Sequence, residues 1–447
     1  MPEDTLFELP EKQCVAPEGP TRPEVARVSR PIRNQLEWSP RSLDAILPED
    51  HKARAIWGFL ERLDLSAFYA SIKAVLDRPG RSATDPQVLL GLWLLATADG
   101  IGSARQLAKL CEEHDAYRWL RGGVPINYHM LADFRVAHKD ELDDLMTEIL
   151  ASMMCEGLVS LERVAQDGLR TRASAGTSSF RRKERLERCL VEAQEQIERL
   201  SKELGKPDPG VNRRQQAARE RAAREREQRL EDALRLMPEV MAAKERKKKT
   251  AGKARAKVKE PRVSTTDPEA RVMKMPDGGF RPAYNLQFAT DVGSHVIVGV
   301  GVTTSGSDGG QAVPMVEQIG ERTEDEPEEY LVDGGFATLD DITALERKGI
   351  TVYAPTRAPS TTTSGRTQGM PRPNDTPEVM NWRARMETEE AKKIYRQRGA
   401  TAECINARGR AFGLTQLTVR GTAKVLSIAL LVAITHNILR WIALTTS

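Results

Sequence analysis

Apolar residues recur at helical spacing through the first third of this chain and switch to a period of two in the last third. From about residue 31 to 157 the pattern is helical. Asp85-Pro86 opens one helix, with Asp as N-cap and Pro at the first helical position. Val88, Leu89, Leu92, Trp93, Leu95 and Ala96 form its apolar run, and Gly100 closes it. Ser103 and Gln106 make a capping box for a helix reaching Leu110. Asn127 caps the next, in which Leu131 and Phe134 fall three apart on the buried side. A last helix from about Lys139 turns Leu142, Leu145, Met146 and Ile149 inward. Leu161 to Gly168 is short and apolar, and suits a buried strand ending at the carboxylate of Asp167.

Leu186, Leu190, Ala193, Ile197, Leu200 and Leu204 alternate by four and three, a heptad seam of nearly three repeats. Pro207, Pro209 and Gly210 break it. A second helix with Leu230, Leu234, Met237 and Met241 on one face completes an antiparallel coiled-coil hairpin, and Lys244 to Lys259 is a basic, mobile tail. Beyond Val263, Tyr284, Leu286 and Phe288 alternate, as do Val296, Val298, Val300 and Val302, predicting a β-hairpin around Gly293-Ser294. Then come a helix over Gln311 to Arg322, a strand over Tyr330 to Asp333, a helix over Leu339 to Lys348 and a strand over Thr351 to Ala354. Helices alternating with strands after a hairpin predict an α/β fold, a mixed sheet with helices on its faces. Residues 356–377, rich in Pro, Ser, Thr and Arg, read as a mobile loop, and residues 1–30 as disordered. The most apolar run, Val425 to Ile434, is about half the length a membrane span needs. His436 and Asn437 then interrupt it, which makes it a buried core helix and argues against a membrane partner.

Length and charge sharpen this picture. A chain of 447 residues suits two to four domains. Its net charge of +3 conceals an asymmetry: residues 181–262 hold 26 Lys and Arg against 15 Asp and Glu, leaving 41 against 49 elsewhere. A polyanion is attracted chiefly to that insert, although charge-rich helices are commonly just solvated. The cysteines Cys14, Cys111, Cys155, Cys189 and Cys404 have no paired spacing, which points to neither a zinc site nor a disulfide framework and favours a reducing cytosol. The N-terminus has no basic-then-apolar signal pattern.

Three distant segments each offer a carboxylate: Val164-Ala165-Gln166-Asp167-Gly168, Leu331-Val332-Asp333-Gly334-Gly335-Phe336, and Tyr395-Arg396-Gln397-Arg398 leading to Glu403 and Arg410. Two strand-end carboxylates and a third on a helix can hold two hard divalent cations ~4 Å apart, the geometry of two-metal phosphoryl transfer. Each residue also has an ordinary reading. Asp167 and Asp333 can simply open turns with the glycines that follow them, and Glu403 and Arg410 can be scattered charges on an exposed helix. Asp340 and Asp341 rival Asp333 but sit at a helix start, where acids suit the dipole. Asp291 reads as a turn residue, Trp382 as a packed core residue, and His129, His138 and His436 as structural.

As an ordered set these segments resemble the D, D and E motifs of bacterial insertion-sequence DDE transposases, the IS-four/IS-five superfamily with its Tyr-Arg-Glu-Lys signature. The resemblance runs from about Arg30 to the end and takes in Ser264 to Arg271 and Phe280 to Gln287. It implies an RNase H-like catalytic core at 158–180 and 263–415, interrupted by the insert at 181–262. It further implies an all-α domain at 31–157 that binds transposon ends and C-terminal helices at 416–447 that pack on the core. Asp167, Asp333 and Glu403 become the catalytic, metal-holding set for two Mg²⁺ or Mn²⁺ ions. Tyr395, Arg398 and Arg410 become DNA contacts, with Arg105, Arg118, Arg121 and Arg135 as phosphate contacts from a helical region that a plain bundle explains equally. The partners implied are double-stranded DNA, both transposon ends and target, and a second copy of the chain in the DNA complex, within the bacterial cytoplasm. The chain departs from the signature twice: four residues, not three, separate Arg398 from Glu403, and Arg410 stands where the signature has Lys. Two other functions compete: an RNase H-like endonuclease without strand transfer, and a non-catalytic coiled-coil DNA-binding protein.

Overall fold

Asp85, Ser103 and Asn127 begin helices in the computed structural model as their side chains predict. Asp85 accepts from the Gln87 amide at 2.8 Å, Ser103 from Gln106 at 3.4 Å, and Asn127 from His129 and Met130 at 3.0 Å. The structure describes residues 40–72, 74, 82–204, 213–250, 260–356 and 371–446. The chain divides into residues 1–42 and 43–447, and the helices and strands named below all belong to the second unit. The expectation for residues 1–30 and most of that for 356–377 lie outside the described residues.

Seven helices come first: α1 (Lys52–Leu60), α2 (Ser66–Ala70), α3 (Pro86–Ala98), α4 (Ala104–Glu113), α5 (Asp115–Arg121), α6 (Tyr128–Ala137) and α7 (Lys139–Cys155). Gly122 and Gly123 turn the chain between α5 and α6 with φ of +57° and +80°, a region where a Cβ is strained. Leu142, Leu145, Met146 and Ile149 of α7 are all buried. Arg135, expected at a phosphate, is instead spent inside the fold. It is 6% exposed, donates to the Gly102 carbonyl at 2.6 Å and to Thr418 at 3.1 Å, and lies over the Trp93 ring.

β1 (Arg163–Arg172) is the middle of a six-stranded mixed sheet. After it come β2 (Phe180–Arg181), α8 (Lys183–Leu204), α9 (Arg213–Thr250), β3 (Val263–Ser264), β4 (Arg271–Lys274), β5 (Phe280–Asp291), β6 (Ile297–Thr303), α10 (Ala312–Thr323), β7 (Glu329–Leu331), α11 (Leu339–Arg347) and β8 (Thr351–Tyr353). β5 runs antiparallel to β1 on one side and β7 parallel on the other, with β8 parallel beyond β7. β4 and β6 both pair antiparallel with β5. The predicted hairpin is therefore β5–β6, but β5 is buried on both faces, so Asn285 and Gln287 are interior and not solvent-facing. Asp291 serves as the turn residue expected of it, accepting from the Ser294 amide at 2.7 Å.

α8 and α9 pack side by side, and Leu186, Ala193, Leu230, Ala233 and Met237 form a small core of their own with Val263. Arg226 on α9 reaches Glu192 and Gln196 on α8, and β2 before α8 pairs with β3 after α9, so the two helices run antiparallel. α9 continues through Lys244 to Thr250, so this part of the expected mobile tail is helix, and residues 251–259 lie outside the described residues. β2 and β3 pair where the insert leaves and rejoins the sheet domain.

The chain ends in α12 (Pro377–Met386), α13 (Glu389–Ala411) and α14 (Thr422–Thr445). α14 is long and apolar enough to cross a membrane by length and composition, and two thirds of that stretch is buried in the protein, with α7, α3 and β6 against it. His436 and Asn437 do not interrupt it. Both are buried, and the Asn437 amide pairs with both the N–H and the carbonyl of Ile297, closing the polar edge of β6. One continuous apolar core runs from α1 through the sheet to α14.

Candidate active site

The strand register brings two of the sequence-selected carboxylates together. β1 and β7 pair only from Arg163 to Ala165, and the last pair is Ala165 with Leu331. Asp167 and Asp333 each lie two residues beyond that pair, where β7 turns away and β1 continues. Asp167 is thus inside a long strand and not at its end, because β5 goes on pairing with β1 as far as Arg172. Asp333 opens the Asp-Gly-Gly turn, accepting from the Gly335 amide at 2.7 Å and the Phe336 amide at 3.2 Å. That turn aims its carboxylate instead of competing with a site.

α13 crosses this split. Gly409 lets it come close to β1, since a Cβ there would stand 3.2 Å from the Leu169 side chain. Arg163 on β1 donates to Gln397 at 2.8 Å and fixes the helix near its middle. Arg398 then places one guanidinium nitrogen 3.1 Å from Asp167 Oδ1 and 3.9 Å from Asp333 Oδ2, with only 13% of its side chain exposed. Asn406 donates to Asp167 Oδ2 at 2.9 Å. Tyr395 stands beside Arg398, and burial pushes its hydroxyl pKa up.

Burial raises the Asp167 pKa most, with Asp333 and Asp308 adding to it, against the Arg398 charge and the Gly168 amide, which lower it. Two carboxylates in one partly dry notch favour a cation between them, and Arg398 supplies one. Asp308 was not singled out from the sequence. It accepts from Asn285 at 2.6 Å and Gln287 at 3.0 Å beneath Gly168, which has no side chain to fill that space. Its only sequence signal is an Asp-Gly-Gly run identical in type to the one at Asp333.

Glu403 is on the same helix but not in this contact set. It is exposed, and none of the described hydrogen bonds or ion pairs involves it. α13 is unbroken, so the residue one turn after Arg398 is buried Ala402, and the extra residue in the signature carries Glu403 round the helix. It stands one turn before Asn406, on the side from which Asn406 reaches Asp167. Among the described residues no three carboxylates approach closely enough to share one ion. Arg410 is exposed and two turns further on. In the helical region Arg105 lies over Tyr128, Arg118 pairs with Asp115, and Arg121 pairs with Glu112 at 2.7 Å. Trp382 is 3% exposed and donates to the Ala354 carbonyl, a packed core residue.

Two acidic side chains thus meet at the parting of two parallel strands in a curled mixed sheet flanked by helices. The comparison with protein families gives this arrangement a context. A transposase DDE domain matches residues 244–438, and a transposase domain matches residues 41–137. The chain belongs to the insertion-sequence DDE transposases. The DDE match contains Asp333 and α13 but begins after Asp167, which the insert separates from the rest of the site. No curated protein and no solved structure matches the chain.

Proposed function

We propose that the protein binds the inverted-repeat ends of an insertion sequence, cuts them, and joins the freed 3′-hydroxyl to target DNA. The observation that carries this reading is Arg398 held between Asp167 and Asp333, which joins three segments spread over more than 200 residues in one notch. The strand order, with β5 antiparallel and β7 and β8 parallel on either side of β1, supports an RNase H-like core.

DDE transposases use divalent metal ions, and this donor set suits them. It offers carboxylate oxygens, the ligands hard cations take, in a notch that already attracts a positive charge. Asp167 and Asp333, completed by Glu403, would hold Mg²⁺ or Mn²⁺, two ions in all. Bound there, the metal supplies charge neutralisation at phosphorus and an activated oxygen nucleophile. The protein's own residues do the positioning. Asn406 and the Gly168 amide orient Asp167, and the Gly335 and Phe336 amides orient Asp333. Arg398, with Tyr395 beside it, would contact a DNA phosphate next to the carboxylates it now pairs with. Arg410 grips a second phosphate. Arg105 and Arg121 remain candidate end contacts on the helical region, and two copies of the chain act on a pair of ends in the cytoplasm.

Asp333→Asn tests the assignment. Nicking of a labelled transposon end in Mg²⁺ should vanish while end binding survives, because affinity rests mainly on cationic contacts. Retained nicking removes Asp333 from the site. A plain endonuclease is separated by a second product: strand transfer of pre-nicked ends, which only a transposase yields.

A further inference from the structure

Beside the carboxylate notch, β1 runs on into a cleft of about 340 Å³ whose charged lining is almost wholly arginine: Arg170 and Arg172 from β1, Arg281 from β5 and Arg410 from α13. Asp277, in the β4–β5 turn, is the lone acidic residue in that lining, and it is consumed by Arg281, to which it accepts at 2.6 and 2.8 Å. Arg170 is tied by one nitrogen to the Lys274 carbonyl at 3.1 Å, with the other 3.5 Å from Asp308. Among the described residues, Arg172 and Arg410 have no ion-pair partner, and both are exposed. The cleft therefore carries surplus positive charge, with two guanidinium forks free.

Its position is as informative as its charge. Arg170 and Arg172 are three and five residues beyond Asp167 on one strand, odd spacings that turn their side chains to the other face of β1, so the cleft lies round the strand from the notch. The far wall is the segment after α13, where the Arg172 amide donates to the Thr415 carbonyl and the Leu417 amide to the Arg172 carbonyl. Backbone on both sides fixes where these forks stand. A guanidinium fork matches phosphate oxygens bidentately, and several along one line match a phosphodiester chain better than a compact anion.

We propose that this cleft seats the sugar-phosphate backbone of the DNA strand flanking the scissile bond. The proposal rests on the transposase reading and deepens it. Arg172 joins Arg410 as a contact that reads no sequence, and it sets how far the strand must extend beyond the cleavage site, while Arg281 is held by Asp277. Arg170 holds the cleft's inner wall.

The test uses the full chain, a labelled duplex and EDTA, so that binding is read without cleavage. Arg172→Gln should lower affinity for end-bearing and random duplexes alike, about fivefold or more near 0.1 M salt. The slope of log affinity against log salt should flatten by about 0.9, the contribution of one phosphate contact. Arg172→Lys should recover most of the slope, which separates charge from misfolding. Phosphate ethylation interference should fall on the strand flanking the nick in the wild type and disappear in the Gln variant. If the wild type binds and nicks DNA while the Gln variant keeps its affinity, slope and interference pattern, the cleft proposal is overturned and the transposase reading stands. If the wild type neither binds nor nicks, the transposase reading itself fails. If inorganic phosphate binds the wild type and not the Gln variant, while the DNA slope is unchanged, the cleft is an anion pocket only and the proposal is likewise overturned.

Discussion

Asp167 has a partly buried carboxylate, and keeping it ionised at neutral pH costs the fold stability. Its pKa is raised by burial, then by its neighbours Asp333 and Asp308. A carboxylate whose folded pKa lies above its unfolded value stabilises the fold fully below the unfolded value and loses that contribution as pH rises through the folded one. Asp167→Asn should therefore raise Tm at pH 7, and the gain should shrink as pH approaches 4. A variant no more stable than wild type at pH 7 contradicts the burial argument. Arg398 makes the complementary prediction. Its guanidinium already sits on the two carboxylates that the proposed metal site would use. Arg398→Gln should tighten Mn²⁺ binding without DNA, on the order of tenfold, while weakening nicking. Paramagnetic titration of free Mn²⁺ reads this directly, and unchanged affinity would place the ions away from Asp167 and Asp333.

Among the elements, α14 carries the clearest titration. His436 is buried, and burial first, then nearby Arg408 and Arg440, holds its pKa down to about 4. Its Nε2 lies 2.8 Å from the His295 carbonyl, so the neutral ring donates there. A histidine depressed in the fold binds protons preferentially when unfolded, so stability is complete above about 6.5 and falls as pH drops toward 4. His436→Gln should flatten that acid limb in chemical denaturation, and an unchanged limb would assign it to other groups. α14 also shows where sequence reading succeeded and stopped. The apolar run from Val425 announced a core helix, but His436 and Asn437 looked like its end. Only the approach of β6 gives those polar side chains partners and keeps them inside.

The insert and the sheet domain are joined in a way that permits their separation. β2 pairs with β3 at the junction, and the α8–α9 pair has its own small core. Replacing residues 185–258 with a short Gly-Ser linker should leave the rest of the chain folded by circular dichroism. If the insert grips DNA backbone, affinity should fall equally for end-bearing and random duplexes and the salt slope should flatten. Unchanged affinity and slope would make it a solvated hairpin or a protein-contacting one. The same layout explains why charge was the most legible large-scale feature and site geometry the least. The basic excess is a property of composition, whereas the first aspartate stands 166 residues before the second.

Local chemistry was readable from the chain: the caps at Asp85, Ser103 and Asn127, the β5–β6 alternation, and the three carboxylate-bearing motifs. Each depends on neighbours within a few residues, so each is written in the order of side chains. The structure alone decided what those motifs face. The register of β1 against β7 set Asp167 beside Asp333, the unbroken turn of α13 put Arg398 and Asn406 onto them, and the same turn left Glu403 exposed. It also drew Arg135 inward, and it revealed the arginine cleft, which has no local signature, and Asp308, whose Asp-Gly-Gly run did not single it out. These outcomes depend on pairings between residues hundreds of positions apart, and only a packed core can specify them.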